Sequence, residues 1–182
     1  MVASAERIAL CRTGATDDAL WGSIRKYLTS KGYVLITCDT PKTIEKQIES
    51  ANRINKERVR YMVAVELIPS DTPDAFVAIS DAKKGKGGLI FNADEVPANH
   101  SARSEELASS IAARFQKKPK RLPLFMLLGI DAPGVFVRIN IPRERSQDMF
   151  DKLYDGLSTY RERGSKDERE FKGERRNSKP ED

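Results

Sequence analysis

The sequence predicts a single α/β domain: a twisted, mostly parallel but mixed sheet of about six strands with helices on both faces. Three observations carry this. Short β-rich runs alternate with stretches of helical periodicity, the pattern of strand–helix–strand units. The run from Val59 to Leu67 is almost continuously apolar, as in a strand covered on both faces. A chain of 182 residues fills one core and is short for two.

Arg7 to Cys11 is a short apolar run that suits a buried strand. Thr16 then suits a helix N-cap, with Asp17 and Asp18 favourable in the positively polarised first turn. Leu20, Ile24, Tyr27 and Leu28 recur at helical spacing, Trp21 packs beside them, and Gly32 suits the exit. Tyr33 to Thr37 forms the second strand. Thr40-Pro41 opens a second helix, because proline at the first position loses no needed hydrogen bond, and Ile44, Ile48 and Ala51 form its inner stripe.

Val59 to Leu67 is the third strand, and Ala75 to Ser80 and Leu89 to Phe91 the next two, joined by a turn over Lys83 to Gly88. That turn is glycine-rich but lacks both the spacing of a phosphate-binding loop and the helix that would follow it. Ser101 to Phe115 reads as a helix through Leu107, Ile111 and Phe115, capped by Ser101 rather than using that serine with His100 in catalysis. Leu122 to Leu128 and Val135 to Ile141 are the last strands, and Met149, Leu153, Leu157 and Tyr160 line a final helix. The domain spans residues 6–163. From Gly164 to residue 182 the chain is nearly all polar, which predicts a frayed, charged tail.

A net charge of +5 gives a mild preference for anionic partners, but the cations are interspersed with acids. Without a basic helix or an aromatic platform, nucleic acid is an unlikely partner. No run reaches the roughly 18 to 20 apolar residues that a membrane helix needs. Two cysteines, Cys11 and Cys38, permit one bridge but no disulfide framework. Ala3-Ser4-Ala5 has the small-x-small form of an export cleavage site, though no apolar segment precedes it. Removal of such a signal would place the protein in the periplasm or cell envelope; otherwise it is cytoplasmic.

Two segments carry a family resemblance. Ile36-Thr37-Cys38-Asp39-Thr40-Pro41 with Ala51-Asn52, and Ala132-Pro133-Gly134-Val135-Phe136-Val137-Arg138, resemble strand ends of the zinc-dependent N-acetylmuramoyl-L-alanine amidases, which cut peptide stems from bacterial cell-wall glycan. The resemblance implies an amidase-like fold over roughly residues 6–160. It also implies that Cys11-Arg12-Thr13-Gly14 stands where a Gly-His-Gly-Gly motif supplies the first zinc ligand. Glu66, within Val63 to Ile68, stands for a second ligand histidine, and Arg138 for the catalytic glutamate. Only the glutamate ligand that opens the first helix has a carboxylate counterpart, in Asp17 or Asp18.

The chain has one histidine, His100, in a loop-like stretch. A hydrolytic zinc needs three protein ligands and an open position, so that bound water ionises near neutral pH. Neither zinc nor another cofactor is therefore expected. Opposite charges at Glu66 and Arg138 suggest an ion pair filling the vacated site. The leading expectation is a catalytically inactive amidase-like domain, a binding or regulatory module of the bacterial cell envelope that meets peptidoglycan fragments or an envelope protein. One alternative is a divergent amidase or other hydrolase with a metal held by Cys11, Cys38, Asp17 and Glu66. Another is an interaction module that uses its basic surface or tail.

Overall fold

The computed structural model describes residues 6–84 and 92–177, with side chains up to residue 162. Ala3-Ser4-Ala5, most of the Lys83 to Gly88 turn, and the strand expected over Leu89 to Phe91 lie outside the described residues. Within them the protein is one α/β domain whose elements alternate as the sequence predicts. The strands are β1 (Glu6–Arg12), β2 (Tyr33–Asp39), β3 (Met62–Pro69), β4 (Asp74–Ser80), β5 (Lys120–Leu122) and β6 (Gly134–Ile141). The helices are α1 (Asp18–Ser30), α2 (Ile44–Lys56), α3 (Ser101–Arg114) and α4 (Ser146–Asn177).

The six described strands form one sheet in the order β2-β1-β3-β6-β4-β5. β2, β1, β3 and β6 are mutually parallel, β4 is antiparallel to β6, and β5 is parallel to β4. The order reverses at β1: the chain leaves it for β2 on one side and returns through α2 to β3 on the other. Open sheets of this kind bind ligands in the crevice at such a reversal, outside the carboxyl ends of the strands.

Alternation along each strand sends two unequal sets of side chains to the two faces. Val63, Val65 and Leu67 of β3 join Ile8, Leu10, Val137 and Ile139 under α1, α3 and α4. Met62 and Ala64 point the other way, with Ala9, Cys11, Ala78 and Phe136, toward α2 and the segment after β5. Small residues dominate this second face, so α2 and its neighbouring coil come close to the sheet.

Several boundaries differ from the sequence-based expectation. Asp17, not Thr16, caps α1, accepting a hydrogen bond from the Leu20 amide at 2.9 Å. Thr16 is buried instead: its hydroxyl donates to the Thr13 carbonyl and accepts from the Leu67 amide. Gly32, at φ +90°, ends α1 as expected. α2 begins at Ile44 with Thr43 as its cap, three residues beyond Pro41. Its inner stripe is Gln47, Ala51 and Ile54, whereas Ile44 is exposed. A glutamine escaped the hydrophobic pattern because its value here is polar: Nε2 donates to the carbonyls of Met126 and Leu128, both at 3.0 Å.

The strand expected over Leu122 to Leu128 is instead the short edge strand β5, ended at Pro123, which has no amide hydrogen to give to a ladder. The apolar residues that follow bury against the α2 face as coil and a short 3-10 turn over Phe125–Leu127. Another such turn, Val96–His100, runs directly into α3, which has no side-chain cap; Ser101 accepts from Arg121 instead. α4 continues as backbone helix to Asn177, past the Gly164 boundary suggested by composition.

α3 and α4 cross where Gly156 lies: a methyl group there would stand 2.6 Å from the Ile111 Cα. Gly156→Ala therefore has to push the helices apart, and is expected to cost about 1–3 kcal/mol despite alanine's better helix propensity. Gly22→Ala, whose methyl meets nothing within 4 Å in the middle of α1, should instead stabilise by about 0.5–1 kcal/mol. Urea unfolding of both variants separates contact from propensity; equal shifts of the same sign would refute the tight crossing.

Below the opposite, amino edge of the sheet, Glu6 is nearly buried, with Arg60 Nε 3.0 Å from its carboxylate. Burial pushes its pKa above the ordinary 4.5, and the cations of Arg60 and Arg161 only partly oppose this. The folded state then holds its proton to higher pH than the unfolded chain does. Its contribution to stability is full below pH 4.5 and falls as pH rises through the raised folded value. Unfolding midpoints measured between pH 4 and 7 should fall on this account, and Glu6→Gln should flatten that part of the profile.

Candidate functional site

The candidate site lies at the carboxyl ends of β1 and β3, the position where open α/β sheets form a ligand crevice. Its shape comes from the loop Thr13 to Asp17, which is sewn to β3 by main-chain and hydroxyl hydrogen bonds. The Thr13 amide donates to the Val65 carbonyl at 2.9 Å, and the Asp17 amide to the Leu67 carbonyl at 3.0 Å. The Thr13 hydroxyl also donates to Val65, at 3.1 Å. These bonds turn the Ala15 amide toward the side chain of Glu66, to which it donates at 3.1 Å.

Gly14 makes the approach possible. At φ +57° it occupies the left-handed region, and a Cβ there would stand 1.9 Å from Glu66 Oε1. Any side chain larger than hydrogen would collide with the carboxylate while straining the backbone.

The second carboxylate oxygen of Glu66 accepts from Arg138 Nε at 2.6 Å. The two residues are Cα partners in the parallel ladder of β3 and β6, so their side chains leave the sheet side by side on the α2 face. This is the ion pair expected from the sequence. Glu66 is only 8% exposed, and its charge is met by one backbone amide and one guanidinium. Arg138 is open to solvent on its far side, with half its side chain exposed.

Cys11 and Cys38 are also Cα partners, in β1 and β2, and are joined by a disulfide with their Cα atoms 4.5 Å apart. Both are buried against α2, beside Met62 and Ile54, so the bridge also serves as core packing. Asp17 does not join Glu66: its carboxylate caps α1. Asp18 pairs with Arg12, which also donates to the Thr16 carbonyl. His100 pairs with Asp131 at 2.8 Å, not with Ser101, and Trp21 carries the Arg25 guanidinium 5.6 Å from its ring centre.

The candidate residues thus assemble as two separate pairs, Glu66–Arg138 and Cys11–Cys38, with Asp17 apart. Among the described residues no group of three His, Cys, Asp or Glu side chains is placed to hold a metal ion. The residues present do not fit zinc. Both thiols are spent in a disulfide, and the one carboxylate in the crevice already holds a guanidinium that would repel a cation. Gly14 belongs to the Cys11-Arg12-Thr13-Gly14 segment that the sequence singles out, whereas nothing in the sequence marks Ala15 and Thr16 as part of the site.

No family model matches the chain, and no curated protein matches it in sequence. Solved structures do match in fold. The N-acetylmuramoyl-L-alanine amidase from Clostridium difficile 630 superimposes with a TM-score of 0.55 at 11% identity, over 88% of this chain and 98% of that one. AmiC2, the amidase of Nostoc punctiforme, gives 0.52 at 12% identity over 88% and 99%. The apo form of the Mycobacterium abscessus amidase Ami1 gives 0.51 at 14% identity over 87% and 99%. At such identities the likeness is one of fold: this chain has an amidase-like α/β fold.

If Gly14 is what lets Glu66 reach the loop, Gly14→Ala should destabilise the protein by about 1–3 kcal/mol through collision and left-handed strain. In Glu66→Ala the carboxylate is gone, so the added cost of Gly14→Ala should shrink. A double-mutant cycle reads this coupling, and additive effects would show that the contact carries no energy.

Proposed function

We propose that this protein is a catalytically inactive, amidase-like binding or regulatory module that acts on peptidoglycan-related ligands in the bacterial cell envelope. The observation that carries the reading is the Glu66–Arg138 ion pair seated on the Ala15 amide. By the family resemblance these residues stand at a zinc-ligand position and at the catalytic glutamate position. An arginine there cannot serve as a general base near neutral pH, because its guanidinium does not give up its proton. A carboxylate already engaged by that arginine is a poor ligand for a second cation.

The fold likeness to cell-wall amidases supports the ligand class. Their substrate would reach this chain at the same crevice, with Arg138 exposed beside it. The alternative of a divergent hydrolase with a cysteine-carboxylate metal site fares worse. It would need Cys11 and Cys38 reduced and brought to Glu66 and Asp17, which lie apart from them. The further alternative, docking through the basic surface or residues 164–182, rests on composition alone.

The test is direct. Purified protein equilibrated with zinc is expected to retain no stoichiometric metal and to release no stem peptides from purified cell-wall sacculi, yet to co-sediment with them. Stoichiometric zinc together with peptide release would overturn the proposal.

A further inference from the structure

The Glu66–Arg138 pair is one end of a row that crosses four strands on the α2 face. Phe76 of β4 is the Cα partner of Arg138, and Lys120 of β5 is the partner of Ala78, one step along the same face. Lys120 reaches back so that its Nζ lies 5.6 Å from the centre of the Phe76 ring. The Phe76 ring in turn leans on Phe136, 6.3 Å centre to centre and tilted by 60°, which fixes its orientation. Read across the sheet, the order is carboxylate, guanidinium, aromatic ring, ammonium.

The charges of this row do not cancel. Glu66 takes the Nε hydrogen of Arg138 and no more. Among the described residues no acceptor meets the two terminal nitrogens of Arg138, and no carboxylate pairs with Lys120. Asp74, another acid on this face, is paired with Lys117 at 2.7 Å. One cation more than the local acids require therefore stands on an exposed surface, around a half-buried ring.

The pairing also orients Arg138. A guanidinium held at Nε presents its remaining nitrogens as a planar fork, the arrangement that grips both oxygens of one carboxylate. The Phe76 ring, on the neighbouring strand in register with Arg138, offers an apolar surface to whatever carries that carboxylate. We infer that this row is a carboxylate-binding subsite, with Arg138 gripping a terminal carboxylate and Phe76 and Lys120 receiving the apolar or aromatic group that bears it. The subsite rests on the reading of the crevice as a binding rather than a catalytic site, and names the chemical group it selects.

The probes are N-acetyl-glycyl-phenylalanine, its C-terminal amide, and inorganic phosphate, each titrated into the 182-residue chain and followed by calorimetry and amide chemical shifts. The free acid should bind at least about tenfold more tightly than the amide, the effect of charge-assisted hydrogen bonds to one carboxylate. Arg138→Lys keeps a cation for Glu66 but loses the fork, and should weaken the acid by about tenfold while the amide shifts of the unliganded variant still show a folded domain. Phe76→Leu, a milder change, should weaken N-acetyl-glycyl-phenylalanine more than N-acetyl-glycyl-alanine, titrated as a further probe.

Equal affinity for acid and amide would overturn the inference, as would failure of the free acid to bind. Phosphate binding as tight as the acid would show a general anion site and overturn the carboxylate assignment. Sacculi that co-sediment with the protein while the acid fails would sink only this inference. Zinc-dependent hydrolysis would sink the underlying reading whatever the peptides do.

Discussion

A carboxylate at the carboxyl edge of a parallel sheet, nine-tenths removed from water, has to be met by donors or lose its charge. Glu66 sets that condition beside β1, where the strand order first reverses. The β1–α1 loop satisfies it from one side with the Ala15 amide, and β6 from the other with Arg138. Much else follows from these two contacts. The loop needs Gly14 to come close enough, and it needs Thr13 and Thr16 to fasten it to β3. Arg138 loses rotational freedom, and its outer nitrogens acquire a direction.

The sheet behind the site explains why the polar side chains emerge where they do. Large aliphatic residues fill most of the face under α1, α3 and α4, where the buried carboxylate of Glu6 sits at the amino edge. The α2 face is built from smaller residues and ends, toward the carboxyl edge, in Glu66 and Arg138. A strand with alternation of period two thus closes a core on one side while presenting chemistry on the other. Register does the rest. Direct Cα pairing of Glu66 with Arg138, and of Cys11 with Cys38, places each pair without help from a loop.

That division also separates what could be read from the sequence from what could not. The alternation of elements and the continuous apolar run of β3 announced the α/β class. The opposite charges at Glu66 and Arg138 announced their pairing. The region after β5 could not be read, because Leu124, Met126 and Leu127 have the composition of a strand but cover the α2 face as coil. Gln47 was equally hidden: it is buried for the two carbonyls it satisfies, which belong to residues some eighty positions away. Local pattern carries periodicity and caps. Hydrogen bonds to distant backbone, and the close approach of Gly14 to Glu66, arise only after folding brings the partners together.

The Cys11–Cys38 bond has a consequence beyond packing. It joins the ends of β1 and β2, so that the intervening chain, with the whole of α1, is a closed covalent ring within a 27-residue separation. While the bond holds, unfolding cannot fully disperse this first strand–helix–strand unit. In a chain-entropy picture, a ring of this size disfavours the unfolded ensemble by about 3.5 kcal/mol. The ring includes the loop that meets Glu66, and its neck is held closed by the Thr40 amide, just past Cys38, which donates to the Arg12 carbonyl, next to Cys11. The crevice is thus bordered by a segment whose ends stay joined whatever the rest of the fold does, a topology that is covalent rather than merely folded.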